Sequence, residues 1–182
     1  MSDTTTVTGE KSFSTKGREV KKTAFQPLPA GDYELRLRSD KAEVRKGQNW
    51  DSLPYVAVYF EALNTAETDG GKNKGIYHNF FTGLTPGKDG IANTDRPSQI
   101  VAFARACGLD FDASIVEREA ANPDTGETRL LECLNPQALL QWLKANDGQV
   151  VKAHTKVRQQ KGFEPKAEIA YFEVGSSEDV FS

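Results

Sequence analysis

Val150-Val151-Lys152-Ala153-His154-Thr155-Lys156-Val157-Arg158 is the stretch that decides the fold. Its residues alternate. Val151, Ala153, Thr155 and Val157 share one side of an extended chain, and Lys152, His154, Lys156 and Arg158 share the other. Alternation of period two marks a half-buried strand. This strand follows a long interval that holds two segments of helical period, so the elements on either side of that interval set the architecture.

Working back toward the N-terminus, Tyr33, Leu35 and Leu37 alternate with Glu34, Arg36 and Arg38. They predict a first strand that continues, bent, through Ala42 and Val44. A polar loop, Arg45 to Asp51, leads to Tyr55-Val56-Ala57-Val58-Tyr59-Phe60-Glu61-Ala62, a second strand dense in β-formers. Val56, Val58 and Phe60 face the core there, and Tyr55 and Tyr59 lie opposite. The turn sequence Asp69 to Gly75 joins a third strand, Ile76 to Thr82, whose two faces are both apolar, so period leaves its inner side open.

The period then changes. Thr94 or Asp95 caps a helix with Pro97 in its first turn; Ile100, Phe103, Ala104 and Cys107 form its apolar stripe and Gly108 stops it. An acidic, loop-like stretch from Leu109 to Glu132 contains the turn Asn122-Pro123-Asp124-Thr125-Gly126. Asn135-Pro136 opens a second helix bearing Leu139, Leu140, Trp142 and Leu143, which ends near Asp147-Gly148. Beyond Arg158, the turn Lys161 to Pro165 leads to a last strand, Lys166 to Val174.

The chain is therefore mainly β with a helical insertion: five strands, with two helices between strands 3 and 4. That is the element order of a five-stranded OB-fold-like barrel; an open α+β sheet is the alternative. Residues 1–26 read as a flexible arm with Phe13 and Phe25 as anchors. Residues 27–174 form the domain, with residues 95–148 inserted, and residues 175–182 are an acidic tail.

The net charge of −3 argues against binding nucleic acid by bulk positive charge, but its distribution is uneven. Residues 109–148 carry 8 acidic groups against 3 basic ones, whereas residues 1–50 carry 10 basic against 7 acidic and residues 149–174 carry 5 against 3. The strand-bearing ends are basic and the middle is acidic. No apolar run reaches membrane-spanning length, Met1 to Glu10 lacks a signal-peptide core, and Cys107 and Cys133 have no zinc or disulfide-framework spacing. A soluble cytoplasmic protein, with no membrane association, is expected.

Lys152, His154, Lys156 and Arg158 recur roughly every 6.6 Å along a strand, a pitch at which cations can follow a phosphate backbone. The same row suits the solvated face of an edge strand. Arg36 and Arg38 form a second basic pair, extended by Lys41, Arg45 and Lys46. Trp50 stands in a polar loop where no core requires it. Tyr55 and Tyr59, and Tyr77 and Phe81, supply flat rings for stacking on bases, or else packing beneath the insertion and core respectively. Trp142 reads as core. Catalytic signatures are poor. His78 and His154 are the only histidines and sit in no metal-binding spacing, and Gly83 to Lys88 is too short for a phosphate loop. Glu117, Glu119, Asp124 and Glu127 read as a solvated face. No enzyme activity, cofactor or metal is expected.

Leu28-Pro29-Ala30-Gly31-Asp32-Tyr33 opening the first strand, the helix Ile100 to Gly108 and the closing segments Val150-Lys152 and Ala167-Tyr171 together resemble bacteriophage single-stranded-DNA-binding proteins of the OB-fold type. The resemblance covers residues 25–175. It implies sequence-tolerant coating of single-stranded DNA in replication, recombination or repair, with self-association left open. It also implies that strands one and four pair, merging the two basic rows; the acidic middle, residues 109–148, departs from a simple barrel and is expected to face away from DNA. Glu178, Asp179 and Phe181 are similar in kind to acidic tips that recruit replication or recombination proteins, although the chain ends in Ser182 where such tips end in an aromatic. The competing expectation is a phage-derived interaction module that inhibits a host factor through the acidic segment.

Overall fold

Alternation in β1 (Gly31–Arg45) turns Leu35 and Leu37 inward, where both are fully buried, and Arg38 outward. The computed structural model describes residues 27–63, 74–86, 92–93 and 98–174. The arm with Phe13 and Phe25, most of the turn before the third strand, the cap formed by Thr94 or Asp95 with Pro97, and the tail with Glu178, Asp179 and Phe181 lie outside the described residues.

Five strands form one antiparallel sheet. β2 (Tyr55–Ala62) pairs with β1 and with β3 (Gly75–Phe81). On the other side of β1 lie β8 (Val150–Arg158) and β9 (Lys166–Phe172), giving the order β3-β2-β1-β8-β9. β1 is the centre because it pairs with β8 over Gly31 to Arg36 on one edge and with β2 from Leu35 to Arg45 on the other. Its register shifts between Arg38 and Glu43, which bends it as the apolar pattern through Ala42 and Val44 requires. Asp147 locks the bend. One carboxylate oxygen accepts from the Ser39 backbone N–H at 2.7 Å and from the Ser39 hydroxyl at 2.9 Å. These bonds hold the Asp147 carboxyl below its ordinary range.

The inner face carries Val56, Val58, Phe60, Ile76, Phe80, Val151, Ala153, Ile169 and Phe172. Helix α1 (Ser98–Cys107) adds Ile100 and Phe103, and α2 (Pro136–Ala145) adds Leu139 and Leu143. The Asn135 side chain caps α2 by accepting from the N–H groups of Gln137 and Ala138, with Pro136 in the first turn. Gly108 and Gly148 leave the helices with φ of 68° and 83°, values that only glycine takes without strain. Trp142 packs edge-on to Phe103 and Phe111.

Two expectations need correction. No ladder joins β3 to β9 among the described residues, so the five strands do not close into a hydrogen-bonded barrel. The edges approach through side chains instead: Phe172 of β9 lies 5.6 Å from His78 and 6.1 Å from Phe80 of β3, with Phe103 of α1 touching both phenylalanines. The acidic middle is also not a loop. β6 (Ile115–Ala121) and β7 (Thr128–Leu134) form a hairpin about the expected turn, where Gly126 has φ of 72°. A further short pair, β4 (Thr85–Pro86) with β5 (Ala92–Asn93), precedes α1. The insertion thus holds one hairpin between its two helices, and the short pair β4–β5 lies ahead of it.

Candidate nucleic-acid interface

The register of the sheet decides which side chains meet on its outer face. Arg38 stands opposite Tyr59, and Tyr59 opposite Tyr77, so one row crosses β1, β2 and β3. A second row runs from Arg45 through Tyr55 to Phe81. The rings touch within each row: Tyr59 and Tyr77 at 5.0 Å between centroids, Tyr55 and Phe81 at 5.6 Å. Tyr77 is 59% exposed and Phe81 58%, so the open question about strand three resolves toward the outer face. Its inner face holds Ile76, His78 and Phe80. Tyr55 and Tyr59 lie on that outer face and not beneath the helices. Gly75 allows this arrangement, because a Cβ there would sit 1.9 Å from the Tyr59 hydroxyl oxygen. Burial, with Tyr77 and Glu61 beside it, pushes the Tyr59 phenol up, so it remains a neutral hydroxyl.

The basic rows do meet, since β1 pairs with β8: Asp32 faces His154, Glu34 faces Lys152 and Arg36 faces Val150. Their charge is nevertheless interleaved with acid. Arg38 reaches Glu61 at 3.4 Å, and Arg158 reaches Glu168 at 3.4 Å. Lys156 stands opposite Glu168, and Asp32 lies 2.8 Å from His154 Nδ1. Exposed pairs of this kind contribute little, roughly 0–1 kcal/mol. A phosphate can replace the carboxylate partner at small cost. Among the described residues Lys152 and Lys156 form no ion pair. Lys46 is exposed at the start of the loop after β1.

Trp50 is placed differently from expectation. It is half-buried, with the Arg129 guanidinium of β7 5.9 Å from its ring centroid. Arg118 of β6 donates to the Ser52 carbonyl in the same loop. The hairpin also continues from the end of β3 through Leu84 N–H to the Glu132 carbonyl at 3.0 Å and Leu134 N–H to the Thr82 carbonyl at 2.9 Å. The acidic segment therefore lies against the loop that bears Trp50 instead of standing apart from it. It turns Glu117, Glu119 and the 62%-exposed Leu130 away on its free face.

Two exposed rings were not anticipated. Phe163, at the turn between β8 and β9, is 68% exposed, and Tyr171 on β9 is 58% exposed. The basic, glycine-containing turn Lys161-Gly162-Phe163 was a signal for the first. The second is concealed by a register shift. Among the described residues no group of three or more potential metal ligands occurs, and no helix is long and apolar enough to cross a membrane. Burial pushes the Cys107 thiol up to about 11, which keeps it protonated. Neither the family models nor the curated proteins include a match to this sequence.

Proposed function

We propose that the chain binds single-stranded DNA, with little regard to sequence, on the outer face of the five-stranded sheet. The observation that carries this reading is the juxtaposition on β2 and β3 of two ring pairs, Tyr59–Tyr77 and Tyr55–Phe81, bordered by Arg38 and Arg45 of β1. Single exposed aromatics are ordinary. Four rings in two touching pairs beside arginines offer π-faces to bases and cations to the backbone between them, which is what sequence-tolerant binding of single strands uses. The strand order with its approaching edges suits a partly open OB-fold, whose second and third strands and adjoining loops are the usual oligonucleotide surface. A role in phage DNA replication, recombination or repair comes from the resemblance of the sequence alone. The reading involves no catalysis.

Fluorescence anisotropy of a labelled oligo-dT at low salt tests it. Saturable binding is expected, with Tyr77→Ala and Phe81→Ala each weakening it by roughly 1–3 kcal/mol, the value of one stacked base. Absence of binding at micromolar protein would overturn the reading. A second reading, docking of a basic partner protein, is favoured by the free face of the β6–β7 hairpin, where Glu117 stands opposite Glu132 and Glu119 opposite Leu130. Replacing Glu117 and Glu119 by Gln separates the two, since it would weaken a protein partner and leave DNA binding intact.

A further inference from the structure

We infer that Tyr171, backed by His154 and Asp32, is a second nucleobase-stacking site, taking one nucleotide whose flanking phosphates lie toward Lys152 and Lys156. This rests on the single-strand reading above and extends it to the opposite half of the sheet. In a regular strand Ala167, Ile169 and Tyr171 would share a side, which would bury the tyrosine. The ladder shifts instead: Thr155 pairs with Ile169, yet His154 pairs with Tyr171, leaving Ala170 as the extra residue. The bulge sends Phe172 into the core, 4% exposed, and turns Tyr171 out to solvent. Bulges that re-aim a side chain recur beside functional sites.

The exposed ring is held in place. The His154 ring lies nearly parallel to Tyr171, at 15° and 5.2 Å between centroids, and Asp32 fixes that imidazole through the 2.8 Å contact at Nδ1. Lys152 and Lys156 flank His154 on the same face, each roughly 6.6 Å along the strand. The platform sits at the level of Asp32 on β1, six residues and about 20 Å from the level of Arg38, where the Tyr59–Tyr77 pair lies. Tyr171 also lies three strands across the sheet from Tyr59, so the two platforms are farther apart than the roughly 20 Å that four nucleotides span, and so short an oligonucleotide does not occupy both.

The test compares wild type with Tyr171→Ala and Tyr171→Phe on dT oligonucleotides of about 4 and about 12 nucleotides, the range a single such domain covers. On the longer oligonucleotide Tyr171→Ala is expected to bind about 10-fold more weakly, with Tyr171→Phe close to wild type because the ring remains. On the shorter one, whose tightest site is the β2–β3 rings, all three should bind alike. The slope of log affinity against log salt should be unchanged by Tyr171→Ala and lowered by about 0.7 for each of Lys152→Ala and Lys156→Ala. Unchanged affinity of Tyr171→Ala on the longer oligonucleotide, alongside weakened Tyr77→Ala, overturns this site and leaves the proposed function standing. An equal loss in Tyr171→Phe and Tyr171→Ala overturns stacking as its basis. Failure of wild type to bind either oligonucleotide overturns both.

Discussion

His78 is buried among Phe60, Phe80 and Phe172, and its Nε2 finds no hydrogen-bond partner among the described residues. Burial lowers its pKa from 6.5 to about 4, opposed in part by a hydrogen bond with the Gln99 side chain. The folded protein therefore keeps this ring neutral down to about pH 4, whereas the unfolded chain takes up a proton near pH 6.5. Between those values the unfolded state binds more protons, so stability falls as pH drops through the window. The full effect is about 3 kcal/mol and is complete below pH 4. Urea midpoints measured from pH 7 to 4 should fall more steeply for wild type than for His78→Phe. Parallel curves would mean that the imidazole is not kept neutral by burial. The burial of His78 was not legible in the sequence, because the period of β3 did not reveal which face was inside. Tyr171 escaped for a related reason, since a bulge reverses the alternation that a sequence reading relies on.

At the scale of elements, alternation and turn residues made β1, β2, β8 and both helices readable, because each is specified by its own neighbours in sequence. The β6–β7 hairpin was not. Val116-Glu117-Arg118-Glu119-Ala120-Ala121 has few β-formers, and it is extended because its partner β7 is hydrogen-bonded to residues 82–84 and Arg118 grips the loop after β1. Tertiary context overrides local preference here. The same docking gives Trp50 a neighbour that its polar surroundings did not suggest. Arg129→Ala should remove a cation–π contact worth roughly 0.5–1 kcal/mol and open the indole to water. In a Trp142→Phe background, where Trp50 is the sole tryptophan, its emission should shift to the red with little change in thermal stability. An unshifted spectrum would show that the guanidinium does not shield the ring.

For the whole molecule, the question is whether charge or stacking dominates the proposed interface, and the register of the sheet bears directly on it. Sequence showed two basic rows and a net charge of −3, but the acids opposite those rows became visible only once β1 was paired with β2 and β8. Arg38, Arg45 and Arg158 already hold carboxylates, while Lys152, Lys156 and Arg36 are the cations most readily given to phosphate. With about 3 phosphates neutralised, log affinity for single strands should fall with log salt at a slope of about −2. Stacking does not release counterions, so appreciable binding should persist at salt that would strip a protein relying on charge alone. Tyr77→Ala should lower affinity equally at every salt concentration, whereas Lys152→Ala should lower it chiefly at low salt. A slope steeper than about −6 would instead mean that the interleaved carboxylates are pushed aside and that charge governs the surface.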